Sequence, residues 1–127
     1  MSYDLEIIQK ANYLHFIVTG ENTKENVSAY LSEILNECIA QNCLHVLIEE
    51  RLEGQRLNAF DIFSIVSQAA MDAIGKLNTI AFVDINAEGS LMHFAETVAV
   101  NRSLPAKVFL TVSEAENWMK KKLLESK

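Results

Sequence analysis

The run at residues 44–48, Leu-His-Val-Leu-Ile, does most to limit what this chain can fold into. It has almost no polar face, so a strand built from it must be covered on both sides, as the inner strands of parallel sheets are. Residues 79–85, Thr-Ile-Ala-Phe-Val-Asp-Ile, make a second run of this type. Between the two lies a helical stretch. Asn58 is placed to cap it, Asp61 sits in its first turn, and Gly75 supplies a stop. A strand, a helix and a strand in that order make parallel neighbours joined by a crossover, and such crossovers are right-handed.

The pattern extends in both directions. Residues 3–9 and 13–19 alternate apolar with polar, with Leu14, Phe16 and Val18 on one face. Lys10-Ala11-Asn12 provides a short turn between them, so the pair is predicted as a hairpin. Thr23 opens a helix to about residue 41, with Val27, Leu31, Ile34, Leu35, Cys38 and Ile39 in one stripe and Asn42 at its end. The helix from Asn58 is apolar around much of its girth, Phe60 and Phe63 included, and is expected to be deeply packed. A third helix is expected over residues 88–102, closed by Pro105. A last strand covers residues 107–112, and Ser113 with Glu116 reads as a capping box for a final helix whose inner face is Ala115, Trp118, Met119 and Leu123. The predicted order is β-β-α-β-α-β-α-β-α: an α/β fold with a mostly parallel five-stranded sheet wound as a right-handed superhelix. Residues 1–127 are read as one domain, since 127 residues hold one sizeable core but hardly two.

Composition narrows the function classes. A net charge of −6 argues against nucleic acid as the main partner, because that footprint needs clustered Lys and Arg. No segment has the apolar length of a membrane span, and the start of the chain lacks a signal peptide's pattern, so a cytoplasmic setting is expected. Cys38 and Cys43 are then free thiols. His15, His45 and His93 have no metal-site spacing with one another or with either cysteine, so neither a metal nor a cofactor is expected. There is no Gly-rich phosphate loop and no nucleophile elbow.

Three stretches taken with this element order resemble the STAS domains, and more closely their SpoIIAA-like bacterial branch: VLIEERLEGQRLNAFDIF, IAFVDI, and FAETVAVNRSLPAKVFLTVSEAENWM. The resemblance implies a SpoIIAA-like fold. STAS proteins of the anti-sigma antagonist type carry a phosphorylatable Ser after an Asp, in the turn between a strand and the next helix. Asn58 stands where that Asp would be and Ala59 where that Ser would be. Alanine has no hydroxyl, so the family's phosphate switch is not expected at this position.

The turn itself is crowded with charge. Glu49, Glu50, Arg51, Glu53 and Arg56 follow an apolar strand, and Asp84 ends the next one. In parallel α/β sheets, ligands bind beyond the carboxyl ends of strands. Glu49, Glu50, Arg51, Glu53, Arg56, Asn58 and Asp84 are therefore the candidate binding residues. Arg51 and Arg56 are suited to clamp a small anionic ligand, or to pair with the glutamates. The simpler alternative is a solvated loop with internal ion pairs, in which each charge contributes no more than about 1 kcal/mol to stability. Residues 49–58 are expected to form an exposed connection. The functional expectation is a non-catalytic regulatory or protein-interaction module. Its alternative is a small-molecule or lipid-binding module using this loop and the apolar helix 58–75. The open edge of the hairpin, with Tyr3, Leu5 and Ile7 on one face, makes a homodimer conceivable.

Overall fold

A computed structural model of the chain describes residues 2–85 and 89–125, residues 89 and 90 by their backbone alone. The elements run β1 (Tyr3–Gln9), β2 (Leu14–Glu21), α1 (Lys24–Ala40), β3 (His45–Glu53), α2 (Ala59–Ala73), β4 (Thr79–Asp84), α3 (Gly89–Asn101), β5 (Ala106–Phe109) and α4 (Val112–Glu125). The five strands form one sheet in the order β1-β2-β3-β4-β5. β1 and β2 pair antiparallel, and the other neighbours are parallel. The expected element order and sheet are both present. Glu88, where the third helix was expected to start, lies outside the described residues.

Alternation along the strands makes two cores. Leu14, Phe16 and Val18 of β2 and Val46, Ile48 and Leu52 of β3 pack with α1, α2 and Ala99 of α3. Leu47 of β3 and Ala81 and Val83 of β4 point the other way and pack with Ala115 and Met119 of α4. The inner run at residues 46–48 is thus covered on both sides, as its lack of a polar face requires.

Local signals fix most boundaries. The Thr23 hydroxyl accepts the Asn26 N–H at 3.0 Å, and the Asn58 side chain accepts the Asp61 N–H at 2.8 Å. Asn42 takes a positive φ of 54° just past α1, and Gly75 one of 77° just past α2.

Four expectations need correction. The final helix is capped by Thr111, whose hydroxyl accepts the Glu114 N–H at 3.2 Å, and not by Ser113. The last strand accordingly stops at Phe109. α2 is not deeply packed: Ile65, Ala70 and Ala73 are buried, but Phe60, Phe63, Met71 and Ile74 are exposed. The Phe63 ring is instead covered by the Arg102 guanidinium, 4.9 Å from its centroid. The fourth and largest correction concerns β3. It continues five residues past Ile48 to Glu53, in register with β2 as far as Glu21. Only residues 54–58 form the connection.

Candidate ligand site at the strand ends

The length of β3 changes the meaning of its charges. Successive strand residues point to opposite faces, so Glu49 and Arg51 face α4 while Glu50 faces the three-helix side. Glu49 and Glu50 are both buried, 2% and 5% exposed. Neither belongs to a solvated loop. Burying a carboxylate is costly unless it is paired and hydrogen-bonded, and each has found partners.

On the α4 side, Glu49 Oε1 is 2.9 Å from His15 Nε2. Its other oxygen accepts from Arg51 Nε and a terminal guanidinium nitrogen. His15 is buried as well. It comes from β2, whose Ile17 lies beside Glu49 in the parallel register. On sequence grounds His15 stood isolated. Strand pairing across 34 residues joins it to Glu49, and no sequence spacing shows such a pairing.

On the three-helix side, the Tyr30 hydroxyl of α1 donates to Glu50 Oε2. Asp84 is the register neighbour of Glu50 on β4. Arg56, from the connection after β3, reaches Asp84 Oδ2 at 3.3 Å and Oδ1 at 3.5 Å. Burial pushes the Glu50 carboxyl up to about 7, and the Asp84 charge adds to this, while the Tyr30 hydrogen bond and Arg56 pull the other way. The Tyr30 phenol is held well above its usual value, first by burial and then by the Glu50 charge beside it. Tyr30 is a site residue that sequence analysis missed. It falls at helical spacing from Val27 and Ile34, where an aromatic reads as core.

The predicted site residues therefore separate into groups. Glu50, Arg56 and Asp84 come together. Glu49 and Arg51 lie behind the sheet from them. Glu53 is exposed at the strand end, where its backbone oxygen accepts the Asn22 N–H at 2.7 Å. Asn58 caps α2. Arg51 and Arg56 cannot clamp one anion between them, because alternation and pairing send them to opposite faces.

Beside Glu50, Arg56 and Asp84 lies a cavity of about 250 Å³ between α1, α2, α3 and the sheet. Its walls are mostly apolar, with Leu31, Ile62, Val66, Phe82, Leu91 and Ala95 among them. α2 lines it, but through Ile62, Ile65, Val66 and Ala69 and not through Phe60 or Phe63. Among the described residues no group of three or more His, Cys, Asp or Glu is placed to hold a metal ion. No described helix is long and apolar enough to cross a membrane.

The fold has a counterpart among solved structures. An uncharacterized protein from the DUF3478 family with a SpoIIAA-like fold, from Shewanella loihica PV-4, superposes with a TM-score of 0.56 over 93% of this chain and 94% of its own, at 18% sequence identity. The fold of this chain is SpoIIAA-like. No protein-family model matches the sequence, and no curated protein matches it either. At that identity the SpoIIAA-like likeness speaks to the fold and not to what is bound, since one fold hosts many functions.

Proposed function

We propose that this chain is a single-domain, non-catalytic binding module of the STAS-like class, and that its ligand is a small amphipathic molecule held in the cavity between the three helices and the sheet. One observation carries this reading: an apolar cavity of about 250 Å³ whose wall includes Glu50, Asp84 and Arg56 at the strand ends, with Tyr30 hydrogen-bonded to Glu50. That volume lies between the roughly 150 Å³ of an engineered cavity that takes up benzene and the 300 Å³ at which drug-sized pockets begin. Well-packed cores hold few voids larger than a water, so a space of this size needs a reason. Ala59, at the first position of α2, has no hydroxyl to phosphorylate, which supports a role other than the anti-sigma antagonist switch.

A second reading, a protein-interaction module, draws on a different observation. Phe60, Phe63, Met71 and Ile74 leave an apolar stripe exposed along α2. Native mass spectrometry of the protein purified under mild conditions separates the two. The ligand reading expects an extra non-protein mass that is lost on denaturation and absent from a cavity-filled Ala69→Phe variant. A bound mass kept by Ala69→Phe, or a partner polypeptide with no small molecule, would favour the interaction surface.

A further inference from the structure

Among the described residues, each charged side chain on the cavity wall already has a partner inside the protein. Glu50 accepts the Tyr30 hydroxyl, and Arg56 reaches Asp84 at 3.3 Å. Glu96 of α3 accepts the Val108 N–H at 2.8 Å, and Asp72 of α2 accepts from the Gln68 amide at 3.0 Å. Burial also raises the Glu50 carboxyl to about 7, so it is partly uncharged at neutral pH. The inner wall is apolar where the sheet supplies Val46, Ile48, Ile80 and Phe82. Among the described residues, those that line the cavity and are also exposed are Ser28 and Ser32 of α1 and Gln68 and Asp72 of α2. The cavity therefore opens to water between α1 and α2, and its mouth carries two hydroxyls and an amide beside one carboxylate.

From this we infer that the ligand is an uncharged molecule that enters between α1 and α2, with its apolar body inside the cavity and a neutral head, a hydroxyl or an amide, at the Ser28–Ser32–Gln68 rim. The inference rests on the cavity being a ligand site, as proposed above, and adds the class of its occupant and the way it lies. A charged group taken to the inner wall would give up its hydration, and the charges it would meet there are engaged: Glu50 with Tyr30, and Arg56 with Asp84. A charged group held at the rim fares little better. A carboxylate there would stand beside Asp72. An ammonium would gain only a weak, screened attraction to a carboxylate that already accepts from Gln68. A hydroxyl or amide head has neither cost, because serine hydroxyls and a glutamine amide both donate and accept hydrogen bonds. The body is of moderate size, a single ring with a short chain or a medium-length alkyl chain, because about 250 Å³ is available.

Three probes with the same chain isolate the head group: 1-octanol, octanoate and n-octylamine. They are titrated calorimetrically into the full chain at about pH 7, where octanoate, like a glutamate, and octylamine, like a lysine, are both ionised. Octanol should bind about tenfold or more tightly than octanoate, and about threefold or more tightly than octylamine. Ala69→Phe, with Ala95→Leu as a second filling variant, should abolish the octanol signal. Ser32→Trp and Gln68→Trp, at exposed rim positions, should weaken it about fivefold or more, whereas Asn36→Trp, exposed on α1 and not part of the wall, should leave it unchanged. A preference for octanol of less than about threefold over either charged probe would overturn the uncharged assignment, and the cavity reading would survive it if Ala69→Phe still abolished binding. Octanol binding that both rim variants leave intact would overturn the entry between α1 and α2. Octanol binding equally well to folded filling variants would place it on the surface and overturn both readings, as would no heat with any of the three.

Discussion

Glu50→Gln removes one ionisation and little else. Glutamine has nearly the shape of glutamate and keeps an oxygen to accept the Tyr30 hydroxyl, so the perturbation acts on charge. In the folded protein the Glu50 carboxyl sits at about 7, against 4.5 for an ordinary glutamate, chiefly because it is buried. A raised carboxyl pKa means that the folded state holds its proton where the unfolded state has released it. The contribution to stability is therefore fully present below about pH 4.5 and is lost as pH rises through about 7. The shift of 7 − 4.5 = 2.5 units, at about 1.4 kcal/mol per unit, sets an upper value of about 3–4 kcal/mol. Urea unfolding followed by Trp118 fluorescence, at pH 5 and at pH 8, measures it. Relative to Glu50→Gln, the wild-type protein should lose 1–3 kcal/mol, on the order of the linkage value, between those two pH values. Other groups that titrate in this range do so in both proteins. His45, for example, is held below its usual value by burial and gives a slope of the opposite sign, but it cancels in the difference. Parallel stability profiles for the two proteins would refute the reasoning and mean that Glu50 is ionised and well compensated at neutral pH.

Other perturbations test the architecture around this group. Ile48→Ala, at a position 4% exposed in the main core, should cost about 2–5 kcal/mol in urea unfolding; a cost under 1 kcal/mol, about the level of a surface change, would deny the strand its central place. The two arginines should behave differently, against the expectation that both are surface charges. Arg51→Ala removes a half-exposed side chain and leaves Glu49 its His15 partner, for about 1 kcal/mol or less. Arg56→Ala strips Asp84 of a mostly buried countercharge and should cost about 2–3 kcal/mol; equal costs for the two would contradict the two-faced arrangement. The β1 edge is open, but Asp4 and Glu6 are exposed along it. If a homodimer forms through this edge, sedimentation velocity should show a species whose fraction grows with concentration and vanishes at high salt or on Ile7→Lys. Monomer alone at high concentration removes the dimer.

Element order was legible in this sequence because periodicity reports it directly. The 3.6-residue stripe of α1, the unbroken run at residues 46–48 and the caps at Thr23 and Asn58 all depend on neighbours within a few positions. The misreadings have a common cause in longer-range geometry. α2 is apolar around its girth, yet only one side meets the sheet and its neighbouring helices, so Phe60 and Met71 remain in solvent. Composition cannot show how many neighbours a helix will have. The cavity is of the same kind. Leu31, Val66 and Leu91 read as core residues, and whether their side chains meet or stop short depends on helix placement across 60 residues of chain.

Glu49 and Glu50 show most clearly how charges can mislead in a strand. Two adjacent carboxylates after an apolar run look like the point where the chain leaves the core for water. Leu52, fully buried two residues later, shows that the chain has not left. The apolar positions 46, 48 and 52 keep a period of two through the charged residues, with Glu50 occupying the one missing step on that face. A glutamate at a core position of a central strand must be neutralised by something across the sheet or above it. The fold supplies Tyr30 from α1 and sets Asp84 and Arg56 beside it, on the wall of the cavity. The adjacent Glu49 meets the same requirement with His15 on the opposite face, beneath α4 and the core cluster that holds Met119. The same residue type is thus placed twice in succession, once on the α4 side and once on the wall of the cavity. The first is satisfied within the protein, by a histidine and an arginine. The second is held by the Tyr30 hydroxyl, with Asp84 and its Arg56 partner beside it on the cavity wall, and that difference between the two faces is why the cavity side is the one proposed to meet a ligand.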